Sequence, residues 1–195
     1  MQFATGTIAV GFVAALLAAD AARADPDGTG VELRLRAVYL EPSSGALAYT
    51  TISGATTGEG SVEWWLDERF TVEVAVGAPA EYDLSSGGER LRIGPSTLTA
   101  KYSFAPSPAV RPYLGAGLHL TTLSVVNGGS DTIDSSRFGW VAQAGLEFEL
   151  GERWYVGADL RHLFHLEPSG RLGGVPREAK IDPNLFGLGI AYRWR

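Results

Sequence analysis

Phe138–Leu150 has the sequence FGWVAQAGLEFEL and shows the clearest structural pattern in the chain. Its even-numbered positions are all apolar and include Phe138, Trp140 and Phe148, whereas its odd-numbered positions are mainly Gly, Gln and Glu. Successive side chains of a β-strand point to opposite faces, so a period of two is typical of a strand with two different faces. The stretch therefore predicts a strand that is apolar on one face and largely polar on the other.

The same alternation recurs along the rest of the chain and predicts eight strands. They are Val31–Leu40, Val62–Leu66, Phe70–Gly77, Leu98–Phe104, Tyr113–Thr121, Phe138–Leu150, Trp154–His165 and Phe186–Trp194. The connections between them alternate between short and long, and the long ones lie around Pro42, Ser85, Asn127 and Glu167. Tight turns at one end and long loops at the other are typical of outer-membrane barrels.

The direction of the apolar face distinguishes a membrane barrel from a soluble ligand-binding barrel of similar strand count. The polar face carries many glycines beside long charged residues, which is what the narrow interior of a small barrel requires. These glycines are Gly115, Gly117, Gly139, Gly145, Gly157, Gly187 and Gly189. The bulky face is therefore expected to face lipid. The predicted fold is all-β, an eight-stranded antiparallel transmembrane up-and-down β-barrel.

The N-terminal segment has the pattern of a signal peptide. Residues 8–19 form an uninterrupted run of apolar or small residues, too short for the about 20 residues that a transmembrane helix needs. The run is followed by Ala22-Arg23-Ala24, which a signal peptidase can accept because only small side chains fit its recognition pockets. We expect a signal peptide at residues 1–24 and the barrel at residues 25–195.

The composition excludes several classes of function. The chain has 195 residues and no Cys, so thiolate metal sites, disulfides and cysteine nucleophiles are ruled out. A formal net charge of -6 argues against a broad basic surface for nucleic acid.

The histidines and glycines show no pattern of enzymatic chemistry. His162 and His165 are three residues apart, which on a strand puts them on opposite faces, and His119 stands alone. The chain shows no nucleophile elbow, no recognisable carboxylate pair and no phosphate-binding glycine loop. We therefore expect no metal site, no cofactor and no enzymatic activity.

The inward positions near the short turns predict a polar plug. They are Glu32, Arg34, Glu63, Glu73, Lys101, Glu147, Glu149 and Arg193, with Trp65, Tyr113 and Tyr155. Charges in a narrow, partly dehydrated lumen have to be paired, so mixed signs at one level predict an ion-pair network. Such a network would close a direct aqueous exit. It would equally suit a barrel whose interior is only packed.

The inward positions farther from the short turns predict an apolar mouth. They are Val38, Leu40, Val141, Leu163 and Leu185, with His119 and Thr121. Such a mouth can hold a small apolar molecule, because burial yields about 25 cal/mol per Å² of apolar surface.

A gap in the barrel wall is expected where Pro79 ends the third predicted strand and Pro95 begins the fourth. Each proline lacks the N–H that would extend the ladder between these neighbours. The gap is either a lateral exit or only the start of a loop.

Three segments resemble the outer membrane protein W family. They are Arg111–Gly117 (RPYLGAG), with the threonine pair 121–122 after it, Gly139–Trp154, and the ending from Asp182 to Trp194. The resemblance implies an eight-stranded pore for small apolar compounds, with a lateral opening flanked by prolines. It also implies that the barrel-assembly machinery reads the C-terminal strand, although here Arg195 follows the aromatic Trp194.

Together these patterns lead to one expected function and one alternative. We expect passive transport of small hydrophobic molecules across a Gram-negative outer membrane, with a lateral exit to the bilayer and with outer-membrane lipid as the surroundings. The alternative is a structural, adhesive or receptor barrel with a closed lumen, whose loops bind partners. An open upper lumen that reaches the Pro79 and Pro95 gap would favour transport, and a filled one the alternative.

Overall fold

We analysed a computed structural model of the chain. The structure describes residues 30–41, 54–83, 90–104, 109–126, 134–164, 169–172, 175–178 and 182–194. The predicted signal peptide, His165 and Arg195 lie outside these ranges. In the described part of the chain, no helix has the length and apolar content needed to cross a membrane.

The described residues are almost entirely β-strands. Their bounds are β1 Gly30–Glu41, β2 Ala55–Trp65, β3 Phe70–Gly77, β4 Ala80–Asp83, β5 Arg90–Ser103, β6 Val110–Val126, β7 Asp134–Glu149, β8 Trp154–Phe164, β9 Ser169–Leu172, β10 Val175–Glu178 and β11 Asn184–Trp194. β9 and β10 form a separate hairpin.

The other strands form one antiparallel sheet that closes on itself. Its order is β3-β2-β1-β11-β8-β7-β6-β5-β4, and β3 also pairs with β5, which completes the ring. Because β3 and β4 both pair with β5, they share one position in the wall, and the barrel has eight positions. The predicted eight-stranded antiparallel barrel is confirmed.

The orientation of the two faces is also as predicted. In β11 the outward Leu188 is 68% exposed whereas the inward Leu185 is fully buried. The large apolar side chains of the other strands, such as Leu35, Trp140 and Phe148, likewise lie on the outside. A ring of outward apolar side chains that carries almost no charge suits a hydrocarbon environment.

The short turns lie at one end of the barrel, which is the periplasmic end in proteins of this kind. In the turn between β2 and β3, the Asp67 carboxylate accepts hydrogen bonds from the backbone N–H groups of Arg69 and Phe70, both at 2.7 Å. These two bonds lower the pKa of Asp67. The backbone N–H of Leu66 also donates to the Phe70 carbonyl at 2.9 Å, so the turn is closed by both main chain and side chain.

Several predicted strand bounds are wrong. β2 begins at Ala55 rather than at Val62, because the segment ATTGEGS pairs with β1 through its backbone although it has no apolar alternation. Leu66 belongs to the turn and not to the strand. Pro95 does not begin a strand but lies inside β5, which starts at Arg90. The short strands β4, β9 and β10 were not predicted.

Candidate functional site

The lumen contains a set of buried charged side chains, here called the charge cluster. Its cations are Arg34, Arg36, Lys101, Arg161 and Arg193, and its anions are Glu32, Glu59, Glu63, Glu73, Glu147 and Asp159. Each comes from an inward position of a strand, as the alternation requires. Because both signs are present in nearly equal number, the charges can be paired inside the barrel.

Arg34 is the centre of the lower part of the charge cluster. Its guanidinium lies 2.5 Å from Glu32 and 3.2 Å from Glu63, and it also pairs with Glu147. Arg193 binds one of these three carboxylates from the periplasmic side, with its Nη2 lying 2.6 Å from Glu32.

Arg36 and Arg161 form the upper part of the charge cluster. Arg36 lies 3.0 Å from Glu59, 2.5 Å from Glu73 and 2.9 Å from Asp159. Arg161 binds Glu59 at 2.7 Å and Asp159 at 3.0 Å. Each of these two carboxylates is therefore shared by two guanidinium groups, which links β1, β2 and β8 across the lumen.

Aromatic rings close the periplasmic end below the charge cluster. The Arg193 guanidinium carbon lies 3.7 Å from the centre of the Trp65 ring and 4.1 Å from that of Tyr155. Arg111 approaches the same two rings at 5.2 and 5.6 Å. Lys101 lies over the Tyr113 ring, 4.8 Å from its centre. Cation–π contacts therefore pack the floor of the lumen.

The carboxylates Glu32, Glu63 and Glu147 come close enough to share a metal ion, with oxygens within 4.8 Å of one another. All three are paired with the Arg34 guanidinium. Because this cation already lies among them, the geometry suits an internal ion pair and not a metal ligand set.

The predicted plug residues lie together in the lower lumen, with one exception. Glu149 is only partly buried and makes no salt bridge within the described residues. The lumen also contains five charged residues that were not predicted: Arg36, Glu59, Asp159, Arg161 and Arg111. Arg36, Asp159 and Arg161 share the inward phase of Arg34 and Leu163, so the alternation could have identified them. Glu59 lies in the Gly- and Thr-rich start of β2, where no alternation is visible.

The predicted mouth residues form an apolar ring above the charge cluster, here called the throat. Val38, Leu40, Val141, Leu163 and Leu185 are each at most 2% exposed. Leu123 and Ile93, which were not predicted, are buried at similar depth. The throat therefore exposes almost no side-chain surface in this structure.

His119 and Thr121 complete the throat with polar groups that bond to one another. His119 Nδ1 lies 3.0 Å from the Thr121 hydroxyl, and Nε2 lies 2.9 Å from the Phe164 carbonyl. Both residues are almost fully buried. Their polar atoms are thus satisfied internally, which keeps the throat apolar toward the lumen. His162 lies apart from them, partly buried, and its Nδ1 contacts the Asn184 amide oxygen at 2.8 Å.

The ladder between β3 and β5 is interrupted at the prolines. The last pair between β3 and β5 is Val76 with Ser96, and the first pair between β4 and β5 is Ala80 with Ile93. The three residues 77–79 therefore lie opposite the two residues 94–95. The pairing is therefore interrupted at the prolines by a local bulge, and it resumes beyond them through β4.

Two threonine hydroxyls bind carbonyls at this interruption. Thr57 Oγ1 donates to the Ala78 carbonyl at 2.7 Å, and Thr122 Oγ1 donates to the Gly94 carbonyl at 3.2 Å. These bonds satisfy backbone groups near the place where the prolines remove donors. The neighbouring Pro95 pairs on its other side with Thr121 of the throat.

Comparison with known proteins agrees with this architecture. The family model described as the outer membrane protein beta-barrel domain matches residues 8–193. The chain belongs to this family. It is therefore a bacterial outer-membrane protein, and its apolar outer face lies in the lipid bilayer.

Curated relatives confirm the resemblance to outer membrane protein W. The chain is 29% identical over 168 residues to outer membrane protein AlkL of Ectopseudomonas oleovorans, covering 78% of this chain and 73% of that protein. It is 25% identical to outer membrane protein W of Salmonella typhi, covering 65% and 68% of the two chains. It is also 25% identical to the dibenzothiophene metabolism operon protein PahQ of Pseudomonas aeruginosa, covering 64% and 65%.

Solved structures share the fold at lower sequence identity. The crystal structure of OprG from Pseudomonas aeruginosa superposes with a TM-score of 0.67 at 17% identity, covering 86% of this barrel chain and 96% of OprG. The solution structure of E. coli outer membrane protein W superposes with a TM-score of 0.59 at 20% identity, covering 87% and 100%.

Proposed function

We propose that this outer-membrane barrel conducts small hydrophobic molecules passively from its extracellular mouth into the bilayer, without a cofactor or enzymatic step. The observation that carries the proposal is the position of the apolar throat. The throat lies above the charge cluster. It is one strand away from the interruption at the prolines, because Thr121 of the throat on β6 pairs with Pro95 on β5.

The charge cluster argues for a lateral route. A molecule that moved straight down would have to separate Arg36 from Glu59, Glu73 and Asp159, and Arg34 from its three carboxylates. Breaking buried charge pairs without replacement costs several kcal/mol. An apolar molecule offers no replacement hydrogen bonds, so leaving through the wall at Pro79 and Pro95 is the easier path.

The relatives support the same class of cargo. PahQ carries the name of a dibenzothiophene metabolism operon, and dibenzothiophene is a small apolar aromatic molecule. The throat of this chain suits molecules of that kind, because it is lined by apolar side chains and the polar atoms of His119 and Thr121 bond within the protein. We also propose that β11 is the strand that the barrel-assembly machinery reads.

Throat substitutions test the proposal in two directions. Uptake of a short-chain alkane is measured in cells carrying wild type, Leu40→Arg with Leu163→Arg, or Leu40→Ala with Leu163→Ala, at equal membrane abundance. The arginine pair fills the throat with charge, so uptake is expected to fall to the level of cells without the protein. The alanine pair removes side chains that close the throat, so uptake is expected to rise above wild type. Equal uptake in all these cells would refute the conduit.

A reversible cross-link tests the lateral exit separately. The chain has no Cys, and a Cβ added at Gly94 would lie 3.8 Å from the Pro79 Cα, which is near enough for a disulfide once the Thr122 hydroxyl, 2.9 Å from that Cβ, rotates away. In the variant Pro79→Cys with Gly94→Cys, oxidation joins the strands at the interruption and is expected to stop alkane uptake, and a reductant is expected to restore it. The reduced form of the same variant is the matched control. Unchanged uptake after complete oxidation would place the exit elsewhere.

The buried throat also favours a second function, a receptor or adhesive barrel whose loops bind partners. Its support is the near-complete burial of Leu40, Leu163 and Leu185, which fits a lumen filled by its own side chains. The two functions differ in the alanine variant, because a barrel that conducts nothing gains no uptake from a wider throat.

A further inference from the structure

Two segments of the chain repeat a pattern that transport does not use. The turn LDERF at residues 66–70 matches LGERW at residues 150–154. Each turn faces a strand end of the form Tyr-x-aromatic, Tyr102-Ser103-Phe104 for the first and Tyr192-Arg193-Trp194 for the second. The register is also the same, because Phe70 pairs with Tyr102 and Trp154 pairs with Tyr192. Each turn with its strand end is here called an Arg–Tyr turn.

The two Arg–Tyr turns make the same contacts. Arg69 Nη1 donates to the Tyr102 hydroxyl at 3.2 Å, and Arg153 Nη1 donates to the Tyr192 hydroxyl at 3.2 Å. The ring centres of Phe70 and Tyr102 are 5.0 Å apart, as are those of Trp154 and Tyr192. In both, the carbonyl of the turn arginine accepts a backbone hydrogen bond from the facing strand, at 2.8 and 2.9 Å.

Their places in the barrel are symmetric. One lies where β3 pairs with β5, and the other lies where β8 pairs with β11. Between these two strand pairs the ring contains β1 and β2 on one side and β6 and β7 on the other. They therefore lie on opposite sides of the barrel, at its periplasmic end. This is the level at which aromatic side chains of outer-membrane barrels meet lipid headgroups.

Each Arg–Tyr turn exposes a glutamate next to an arginine beside an apolar surface, and the first turn also carries Asp67, whose carboxylate binds the backbone N–H groups of the turn. Glu68 precedes Arg69 and Glu152 precedes Arg153, and all four side chains are exposed. Leu66 and Leu150, which begin the turns, are 60% and 64% exposed. A guanidinium binds phosphate well, a carboxylate accepts hydrogen bonds from an ammonium group, and the apolar residues can contact acyl chains.

We propose that each Arg–Tyr turn binds the phosphoethanolamine headgroup of a bilayer phospholipid. The arginine donates to the phosphate and is held in place by the tyrosine hydroxyl, while the neighbouring glutamate accepts from the primary ammonium group. The adjacent opposite charges favour this zwitterionic headgroup over an anionic one. The Arg–Tyr turns share no residue with the throat, so this proposal can be tested separately from the proposed transport.

Native mass spectrometry of the full-length barrel tests this with three lipids of matched acyl chains. Phosphatidylethanolamine is expected to be retained as two molecules per barrel. Phosphatidylcholine has no N–H on its ammonium group, so its retention is expected to be about tenfold weaker. Phosphatidylglycerol lacks the cation and is also expected to bind more weakly. Equal retention of phosphatidylethanolamine and phosphatidylcholine, or tighter retention of phosphatidylglycerol, would overturn the proposal.

Variants of the exposed turn residues assign the contacts. Arg69→Gln with Arg153→Gln is expected to lose both bound lipids, and Glu68→Gln with Glu152→Gln to lose the preference for phosphatidylethanolamine over phosphatidylcholine. Arg92→Gln is the matched control, since Arg92 is an exposed arginine that pairs with Glu81 away from both turns. Heat-modifiable gel mobility verifies that each variant is folded. Unchanged lipid retention in the folded arginine variant would refute the assignment.

Discussion

Replacing Arg36 by methionine is expected to lower the free energy of unfolding of the barrel by about 3 to 5 kcal/mol. Arg36 lies within ion-pair distance of Glu59, Glu73 and Asp159, and it also donates to the Ser61 hydroxyl at 3.0 Å. Methionine replaces the apolar stem of arginine but carries no guanidinium, so the change leaves buried carboxylates without their shared cation. Denaturant unfolding in lipid vesicles, followed by tryptophan fluorescence, measures the loss.

Two further variants show whether the charge itself is responsible. Arg92→Met removes the exposed pair with Glu81, and because that pair is solvated we expect a loss of at most about 1 kcal/mol. Arg36→Met leaves Glu73 with only Lys101, at 3.2 Å, so adding Glu73→Gln removes a carboxylate that has lost one of its two cations and is expected to recover part of the stability. If Arg36→Met were no worse than Arg92→Met, the charge cluster would be a solvated feature and not a sealed plug.

Gly117→Ala is expected to lower the free energy of unfolding by about 3 kcal/mol or more, through overpacking. A Cβ at this position would overlap the Leu98 carbonyl oxygen and lie 2.7 Å from the Thr99 Cα, both in the paired strand β5. These obstacles are backbone atoms, which cannot rotate away as a side chain can. The same unfolding measurement tests this change.

Gly58→Ala is the matched control for Gly117→Ala. It is also a strand glycine, but a Cβ there would meet nothing within 4 Å. Alanine restricts the unfolded chain more than glycine does, so we expect this change to be neutral or slightly stabilising. Equal effects of the two substitutions would show that β5 and β6 separate easily at Gly117. The sequence analysis assigned Gly117 to lumen spacing, whereas its close neighbour is the adjacent strand.

The two stability predictions describe a rigid lower barrel beneath a throat of a different kind. Ion pairs and stacked rings hold the lower lumen together from several strands at once. Removing one partner is therefore expected to weaken the other ion pairs of the charge cluster. The throat is held mainly by apolar contacts, which are not directional and can be rearranged. The proposed conduit therefore opens in its upper half while its floor stays closed.

The class of fold, the outward face and the inward positions of most charges could be predicted from the sequence alone. In Phe138–Leu150 and in the ending at Trp194, alternation is a property of each strand alone, because successive side chains leave a strand on opposite sides. The lack of charge on the bulky face then requires lipid around it. The family resemblance of Arg111–Gly117 could likewise be recognised locally, without knowing what these residues contact.

The tertiary structure was needed to show which charges meet, how the strands pair around Pro95 and how deeply the throat side chains are buried. Arg161 and Glu59 are 102 positions apart, and Glu59 lies in a segment with no visible alternation. Pro95 was expected to begin a strand, yet its neighbours on β6 hold it inside one. The height of a side chain along the barrel axis depends on the register and stagger of all the strands together, so it cannot be predicted from one strand alone.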